Sequence, residues 1–310
     1  MDYCSNGKLL LTGEYVVLDG ALSLAVPTTF GQSLTVESIV EQKIIWRSLD
    51  DKDTVWFDNE FLFEQIATSQ TPRNDNPISE RLIQILKAAK QLNPQFLSSV
   101  SGFKITAKLD FPRDWGLGTS STLINNIANW ANVDAYELLA LTFGGSGYDI
   151  ACAQNDSAIT YQLESPLSSA QNNKKHQIKT IDFNPTFKDH LYFVHLNKKQ
   201  DSREGIAQYK LNASNLAASI SEINTITSAM ISCKSLLEFN HLIETHETII
   251  GAIVRQQPVK KLHFSDFDGA IKSLGAWGGD FILVSSKTNP KSYFENKGYN
   301  TVIPYVDMVL

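Results

Sequence analysis

The sequence predicts a fold that mixes β-strands and α-helices, on three observations. Apolar runs of strand length crowd the segment from Leu9 to Phe57 and return at 103–111, 191–196 and after Asp280. Helix-period stripes occupy 82–92, 123–131 and much of 215–254, and glycine, proline or charged turns punctuate both kinds of run.

A chain of 310 residues has interior enough for one large or two ordinary domains and a cleft between lobes. Its 43% hydrophobic and 19% charged residues are those of a folded globular chain, so disorder is not indicated. The formal charge is −6, and no basic run exceeds Lys174-Lys175 or Lys260-Lys261. That balance excludes the electrostatic footprint of a nucleic-acid or anionic-membrane binder, and an anionic substrate would need a local positive site. Cys4, Cys152 and Cys233 are widely separated, which suggests neither a disulfide framework nor a zinc motif and fits a reduced compartment. Met1-Asp2-Tyr3 does not open a signal peptide, and no apolar run is long enough to span a bilayer, so a cytoplasmic protein is expected.

In chain order, Leu9–Leu11 and Leu22–Val26 read as buried strands with turns at Gly13-Glu14 and Asp19-Gly20. Lys8 stands at the mouth of the first strand. Glu14 falls in an apolar neighbourhood, where an ionised carboxylate needs a partner or a bound ligand. Ser33–Val40, Lys43–Arg47 and Thr54–Phe57 make a meander or hairpin with one solvated face. A polar loop at Ser69–Asn76 precedes a helix whose stripe is Leu82, Ile85, Leu86, Ala89 and Leu92, ended by Asn93-Pro94.

The centre of the chain is FPRDWGLGTSST, Phe111 to Thr122. An alternating strand (Phe103, Ile105, Ala107, Leu109) runs into Pro112, then a glycine turn, then a hydroxyl cluster, then a helix face of Leu123, Ile127, Trp130 and Ala131. Such an order can cradle a phosphate, because glycines admit an anion to the backbone and the first N–H groups of a helix lack partners. The same residues also suit ordinary N-capping, with Thr119, Ser120 or Ser121 as the cap. It is neither a Walker A loop nor a dinucleotide fingerprint.

A short helix at Ala135–Thr142 leads to Phe143-Gly-Gly-Ser-Gly-Tyr-Asp149, where Asp149 either caps the small-residue helix Ala151–Ala153 or faces a ligand. Ser165–Gln177 is a polar stretch and the expected lobe boundary. Leu191–Leu196 is a buried strand, followed by a charged loop at Asn197–Arg203. The segment 215–254 is helical, with Ser235 capping its second half, and the spacing of His241 and His246 does not suit metal ligation. Ser273–Val284 joins a glycine-rich turn to an apolar strand, the pattern of a ligand-lined loop or of a tight hairpin.

Three of these stretches, in this order, resemble the motifs of the GHMP small-molecule kinases, named for galactokinase, homoserine kinase, mevalonate kinase and phosphomevalonate kinase. KLLLTGEYVVLDG (Lys8–Gly20) is similar to the family's first motif, Pro112–Thr122 to its phosphate loop, and Ser273–Val284 to its third motif. The resemblance implies a two-lobed α+β fold, with an N-terminal ATP-binding lobe at 1–165 like the second domain of ribosomal S5 and a C-terminal lobe of antiparallel sheet and helices at 166–310. Gly-Glu-Tyr at Glu14-Tyr15, Gly-Ser-Gly-x-Asp at Asp149 and Gly-Gly-Asp at Asp280 look most like phosphomevalonate and mevalonate kinases.

By this resemblance, Gly116, Leu117, Gly118, Thr119, Ser120 and Ser121 would hold the phosphates of ATP, with Ser120 also on Mg²⁺. Asp149 would take the acceptor hydroxyl's proton, and Lys8 would pair with it and stabilise developing charge. Glu14, Tyr15, Ser146, Gly147, Gly278 and Gly279 would line the acceptor site. Implied too are a small anionic acceptor from isoprenoid precursor synthesis, no nucleic-acid or membrane partner, and a monomer or homodimer. Four departures stand out: Thr119 replaces a serine, Ser121 a small residue and Trp277 a glycine, and the stretch from Thr119 to Asp149 is short. The glutamate completing the Mg²⁺ site has no clear match, Glu137 being the nearest candidate. Trp277 and that missing glutamate motivate a second expectation, a catalytically idle member of the fold that senses a nucleotide or metabolite.

Overall fold

A computed structural model describes residues 1–67, 76–98, 101–164, 176–198, 202–212 and 216–310. Most of the polar loop expected at 69–76, most of the boundary segment expected at 165–177, and Lys199 and the Arg203 side chain of the expected charged loop lie outside them. Two compact units emerge, each assembled from separate stretches of chain: Met1–Gly7 with Phe30–Arg113 and Gly118–Gln154, and Lys8–Thr29 with Asp114–Leu117 and Asn155–Leu310.

The first unit is a mixed sheet covered by helices. Its strands are β1 (Asp2–Leu10), the second half of β2 (Ser23–Ile39), β3 (Lys43–Leu49), β4 (Val55–Leu62) and β5 (Gly102–Leu109). β3 and β4 form an antiparallel hairpin, β5 lies parallel to β3, and β2 runs antiparallel to β5 with Leu34 opposite Ala107. The Asp50 carboxylate closes the hairpin turn by accepting the N–H groups of Lys52 and Thr54.

Helices α1 (Phe63–Ala67), α2 (Pro77–Leu92), α3 (Thr119–Ala131), α4 (Ala135–Thr142) and α5 (Tyr148–Ala153) complete this unit. α2 starts where Asn76 accepts the Ile78 N–H and Pro77 takes a position that needs no donor. Its Leu82, Ile85, Leu86 and Ala89 enter one core with Trp46, Ile105 and Ile127, so the sequence stripe faces inward as expected.

β2 corrects the sequence reading. Leu22–Val26 and Ser33–Val40 read as two strands, but one strand runs from Ser23 to Ile39 through Pro27 and Gly31. Pro27 cannot donate to a ladder, yet it falls between two pairings, with β5 from Gln32 onward and with β6 (Ile159–Leu163) at Ser23–Ala25. Its carbonyl accepts the Leu310 N–H.

In the second unit β6 also pairs with β7 (His176–Thr180). A separate antiparallel sheet takes the order β11-β8-β10-β9, from β8 (Leu191–His195), β9 (Ala270–Ser273), β10 (Phe281–Ser285) and β11 (Val302–Pro304). Val194, Ile271, Ile282 and Val284 build its core with Phe264, Phe267 and Phe294. Around it stand α6 (Ser202–Asn212), α7 (Ala217–Ser232), α8 (Leu236–Val254), α9 (Val259–His263), α10 (Lys291–Asn296) and α11 (Tyr305–Met308). The Ser235 hydroxyl caps α8 through the Glu238 N–H, as the sequence predicts. Among the described residues no helix is long and apolar enough to cross a membrane.

Candidate functional site

In the first unit the hydroxyl cluster opens α3, and capping is not how it is used. The N-cap is Gly118 in the left-handed conformation, with no side-chain cap among the described residues. The backbone N–H groups of the first turn are therefore left to something other than a side-chain cap. Ser121 is buried and donates its hydroxyl to the Gly118 carbonyl at 2.8 Å, bracing the turn from inside. Thr122 does the same work deeper in, donating to Gln32 at 2.7 Å. Thr119 is half-buried and Ser120 exposed, so Ser120 has the most accessible of these hydroxyls.

Asp149 is not a cap either. Gly147 holds that position, again left-handed and without a side-chain bond, and Asp149 lies inside the first turn of α5, which packs on α3. Ser146 and Gly147 are buried beside it. The Tyr136 phenol feels this charge: burial first, then Asp134, Cys152 and Asp149, push its pKa well above the usual tyrosine value. Glu137 is exposed in the first turn of α4, where its N–H bonds the capping Asp134 carboxylate.

In the second unit Lys8 meets the first half of the glycine loop. Its backbone N–H donates to the Leu117 carbonyl at 3.0 Å and its Nζ to the Gly116 carbonyl at 3.1 Å. Gly116 has φ +67° and rests against the Asp280 carboxyl group; a Cβ there would lie 2.3 Å from Asp280 Cγ. Both facts require glycine.

The Glu14 carboxylate finds its partner in the protein. It is 1% exposed and ion-paired with Lys272 of β9, itself 0% exposed, which also reaches Glu247 of α8 at 3.5 Å and the Ser273 carbonyl at 3.0 Å. Ser273 donates to the other Glu247 oxygen at 2.7 Å. Burial raises the pKa of Glu14 against the pull of Lys272, and burial likewise lifts Glu247 to about 7. His246 completes the cluster as a neutral ring: burial, then Lys272, hold its pKa well below the ordinary value, and Nε2 accepts the Gly13 N–H at 3.0 Å. The 3.4 Å approach of Glu14 to that same nitrogen is therefore no ion pair.

Tyr15 follows directly. It has φ +65°, stacks on Tyr209 at 5.5 Å and sets its hydroxyl where a Gly205 side chain would stand. Burial, with help from Glu14, raises its pKa to about 12. Tyr209 in turn donates to Asp19.

Trp277 neither narrows the mouth of the glycine turn nor stacks on an open face. It is 2% exposed and its ring lies over Gly251 of α8, 3.4 Å from a Cβ built there. β9 and β10 pair as an antiparallel hairpin, but residues 274–280 lie between them, so the connection is a longer loop and not the tight hairpin. Gly278 is half-buried and Gly279 buried.

Sequence reasoning missed His246, Glu247, Lys272 and Ser273 as one polar cluster. The available signal was a lysine inside the apolar run Ala270–Leu274. Lys198 is exposed.

No family model and no curated protein matches this chain. Solved structures do. The mevalonate kinase of Methanococcus jannaschii superposes with a TM-score of 0.69 at 16% identity, over 97% of this chain and 96% of its own. The phosphomevalonate kinase of Streptococcus pneumoniae, in complex with phosphomevalonate and AMPPNP, gives 0.68 at 16% identity over 100% and 98%. The galactokinase of Lactococcus lactis, complexed with galactose, gives 0.64 at 15% identity over 98% and 93%. At such identities the likeness shows the fold, and the fold is the one these kinases share.

Proposed function

We propose that this chain is an ATP-dependent small-molecule kinase that moves the γ-phosphoryl group of ATP onto a small anionic acceptor, mevalonate or phosphomevalonate. The observation that carries the reading is the helix start at Gly118–Ser121. A long helix opens there on a left-handed glycine, without a side-chain cap among the described residues and with an exposed Ser120 hydroxyl. Donors so arranged suit a phosphate. The shared fold supports the reading, and galactokinase among the neighbours is why the acceptor rests on the Gly-Glu-Tyr and Gly-Gly-Asp details.

In this reading Gly116, Leu117, Gly118, Thr119, Ser120 and Ser121 hold the phosphates, chiefly by backbone N–H groups. Mg²⁺, when bound, neutralises phosphate charge. The donors fit it: Ser120 offers an accessible hydroxyl and Glu137 an exposed carboxylate. Lys8, fixed by two bonds to the loop, stabilises charge developing on the transferred group. Asp149 accepts the proton of the attacking hydroxyl.

Ser146 and Gly147, buried beside Asp149, face the acceptor in this reading. Glu14 and Tyr15 contribute by shaping the turn after β1, since Glu14 is committed to Lys272. The test is ADP release with ATP and Mg²⁺ across mevalonate, phosphomevalonate, homoserine and galactose. Turnover with one isoprenoid acid alone supports the proposal, and ATP binding without turnover on any acceptor replaces it with the sensor reading.

A further inference from the structure

The phosphate-loop half that lies in the second unit, Asp114–Leu117, is held at every residue. The Asp114 carbonyl meets His195 Nε2 at 3.2 Å. Trp115 packs edge-on to Phe281 at 5.3 Å and tilted to His195 at 6.3 Å. The Gly116 and Leu117 carbonyls accept from Lys8. On the side where a Cβ would stand, Gly116 meets the Asp280 carboxyl group.

Asp280 is itself constrained. It is 9% exposed with φ +51°, its N–H donates to the Lys198 carbonyl at 2.6 Å, and its carbonyl accepts the Leu196 N–H at 2.8 Å. Those bonds tie it to the end of β8. Three residues earlier Trp277, at φ +52°, is sunk against Gly251 of α8. A left-handed tryptophan and a left-handed aspartate in one turn are strained, and such strain persists where the surroundings over-determine it. The Gly275 backbone passes the same carboxyl, a Cβ there lying 3.8 Å from Oδ2.

We propose that Asp280 is a positioning residue for the phosphate loop: its carboxyl group is the floor on which Gly116 rests, and Trp277, anchored on α8, sets the turn that carries it. This rests on the reading that the loop holds a nucleotide. The role belongs to the shape of the side chain. An isosteric amide keeps the floor, whereas removal lets the Gly116 peptide settle into the vacated space and misaims the loop's N–H groups.

The experiment is titration of the full-length protein with ATP and Mg²⁺, and separately ADP and Mg²⁺, by calorimetry. Wild type is compared with Asp280→Asn, Asp280→Ala, Gly116→Ala and the Gly116→Ala/Asp280→Ala pair, with urea midpoints alongside. Asp280→Asn is expected within about threefold of wild type, and Asp280→Ala weaker by about ten- to a hundredfold. Gly116→Ala should also weaken binding, and the pair should bind better than the product of the single losses predicts, because the new methyl group enters the space the carboxyl left.

Wild-type affinity in Asp280→Ala, strict additivity in the pair, or a loss in Asp280→Asn as large as in Asp280→Ala would each overturn the inference. Should Asp280→Ala not fold, Asp280→Ser, which also lacks the carboxyl group, takes its place with the same expected loss and the same overturning result. A wild-type protein that binds neither nucleotide would instead overturn the functional reading.

Discussion

Replacing Lys272 by methionine should destabilise the protein by an amount that depends strongly on pH. Lys272 is fully buried and is the partner of two carboxylates, Glu14 and Glu247, that are almost as buried. Removing one member of such a pair costs about 3–5 kcal/mol, because the remaining charge is left without compensation. Set against a typical stability of about 5–15 kcal/mol, that is a large fraction.

The loss is not constant. Both carboxyl groups already have raised pKa values with the lysine in place, Glu247 at about 7, and without it both rise further. A carboxyl whose folded pKa is raised keeps its proton in the folded state over a window in which the unfolded chain has lost it, so stability falls as pH climbs through that window. Near pH 5 Lys272→Met therefore buries two neutral acids, and above pH 8 it must bury charge or hold protons against the solvent. Urea midpoints at pH 5, 7 and 8.5 should show a gap from wild type that widens with pH. Adding Glu14→Gln and Glu247→Gln should close most of the gap at pH 8.5. A gap independent of pH, or a triple variant no more stable than Lys272→Met, would refute the reasoning.

Three further outcomes are expected. Glu247→Gln keeps an acceptor for the Ser273 hydroxyl and removes the titration, so its melting temperature relative to wild type should rise between pH 5 and pH 8, by at most ~3 kcal/mol in equivalent stability; a flat difference would deny that Glu247 titrates in the folded state. Differences are the quantity to read, because neutral His246 imposes an opposite slope below its unfolded value of 6.5, where stability is lost as pH falls. Asp149→Asn should lower turnover by about a hundredfold or more while leaving ATP affinity within a few-fold, and unchanged turnover would remove Asp149 from the chemistry. Tyr209→Phe deletes the donor to Asp19, a half-buried acceptor, and should lower stability by about 1 kcal/mol in urea unfolding; no change would mark that bond as energetically idle.

Local pattern carried the reading of the elements. α4 begins and ends where the sequence places it, at Ala135 and Thr142, because an Asp134 cap and a following glycine turn bound it within a few residues. The polar cluster was illegible for the opposite reason. Glu14, His246, Glu247 and Lys272 come from the turn after β1, from α8 and from β9, and no period or spacing joins residues so far apart. Glu14, a carboxylate stranded among leucines and valines, and Lys272, a lysine inside an apolar run, each signalled a buried charge without naming its partner. β2 fails by a third route: Pro27 breaks a strand locally, and only the change of pairing partner around it shows why it is tolerated.

The glycine loop shows where sequence reasoning must stop. Gly-x-Gly followed by Thr-Ser-Ser serves an N-cap and a phosphate site equally well, since both need a small residue and a hydroxyl at a helix start. The two readings differ only in which residue takes the cap position. With Gly118 there, left-handed, and Ser121 turned inward onto its carbonyl, the first turn of α3 has no side-chain cap among the described residues. The same substitution of glycine for a capping side chain recurs at Gly147 ahead of Asp149. Two helix starts in one unit take glycine where their sequences offer a side-chain cap, and because glycine at that position costs only a few tenths of a kcal/mol, little stability is given up by leaving those N–H groups without one.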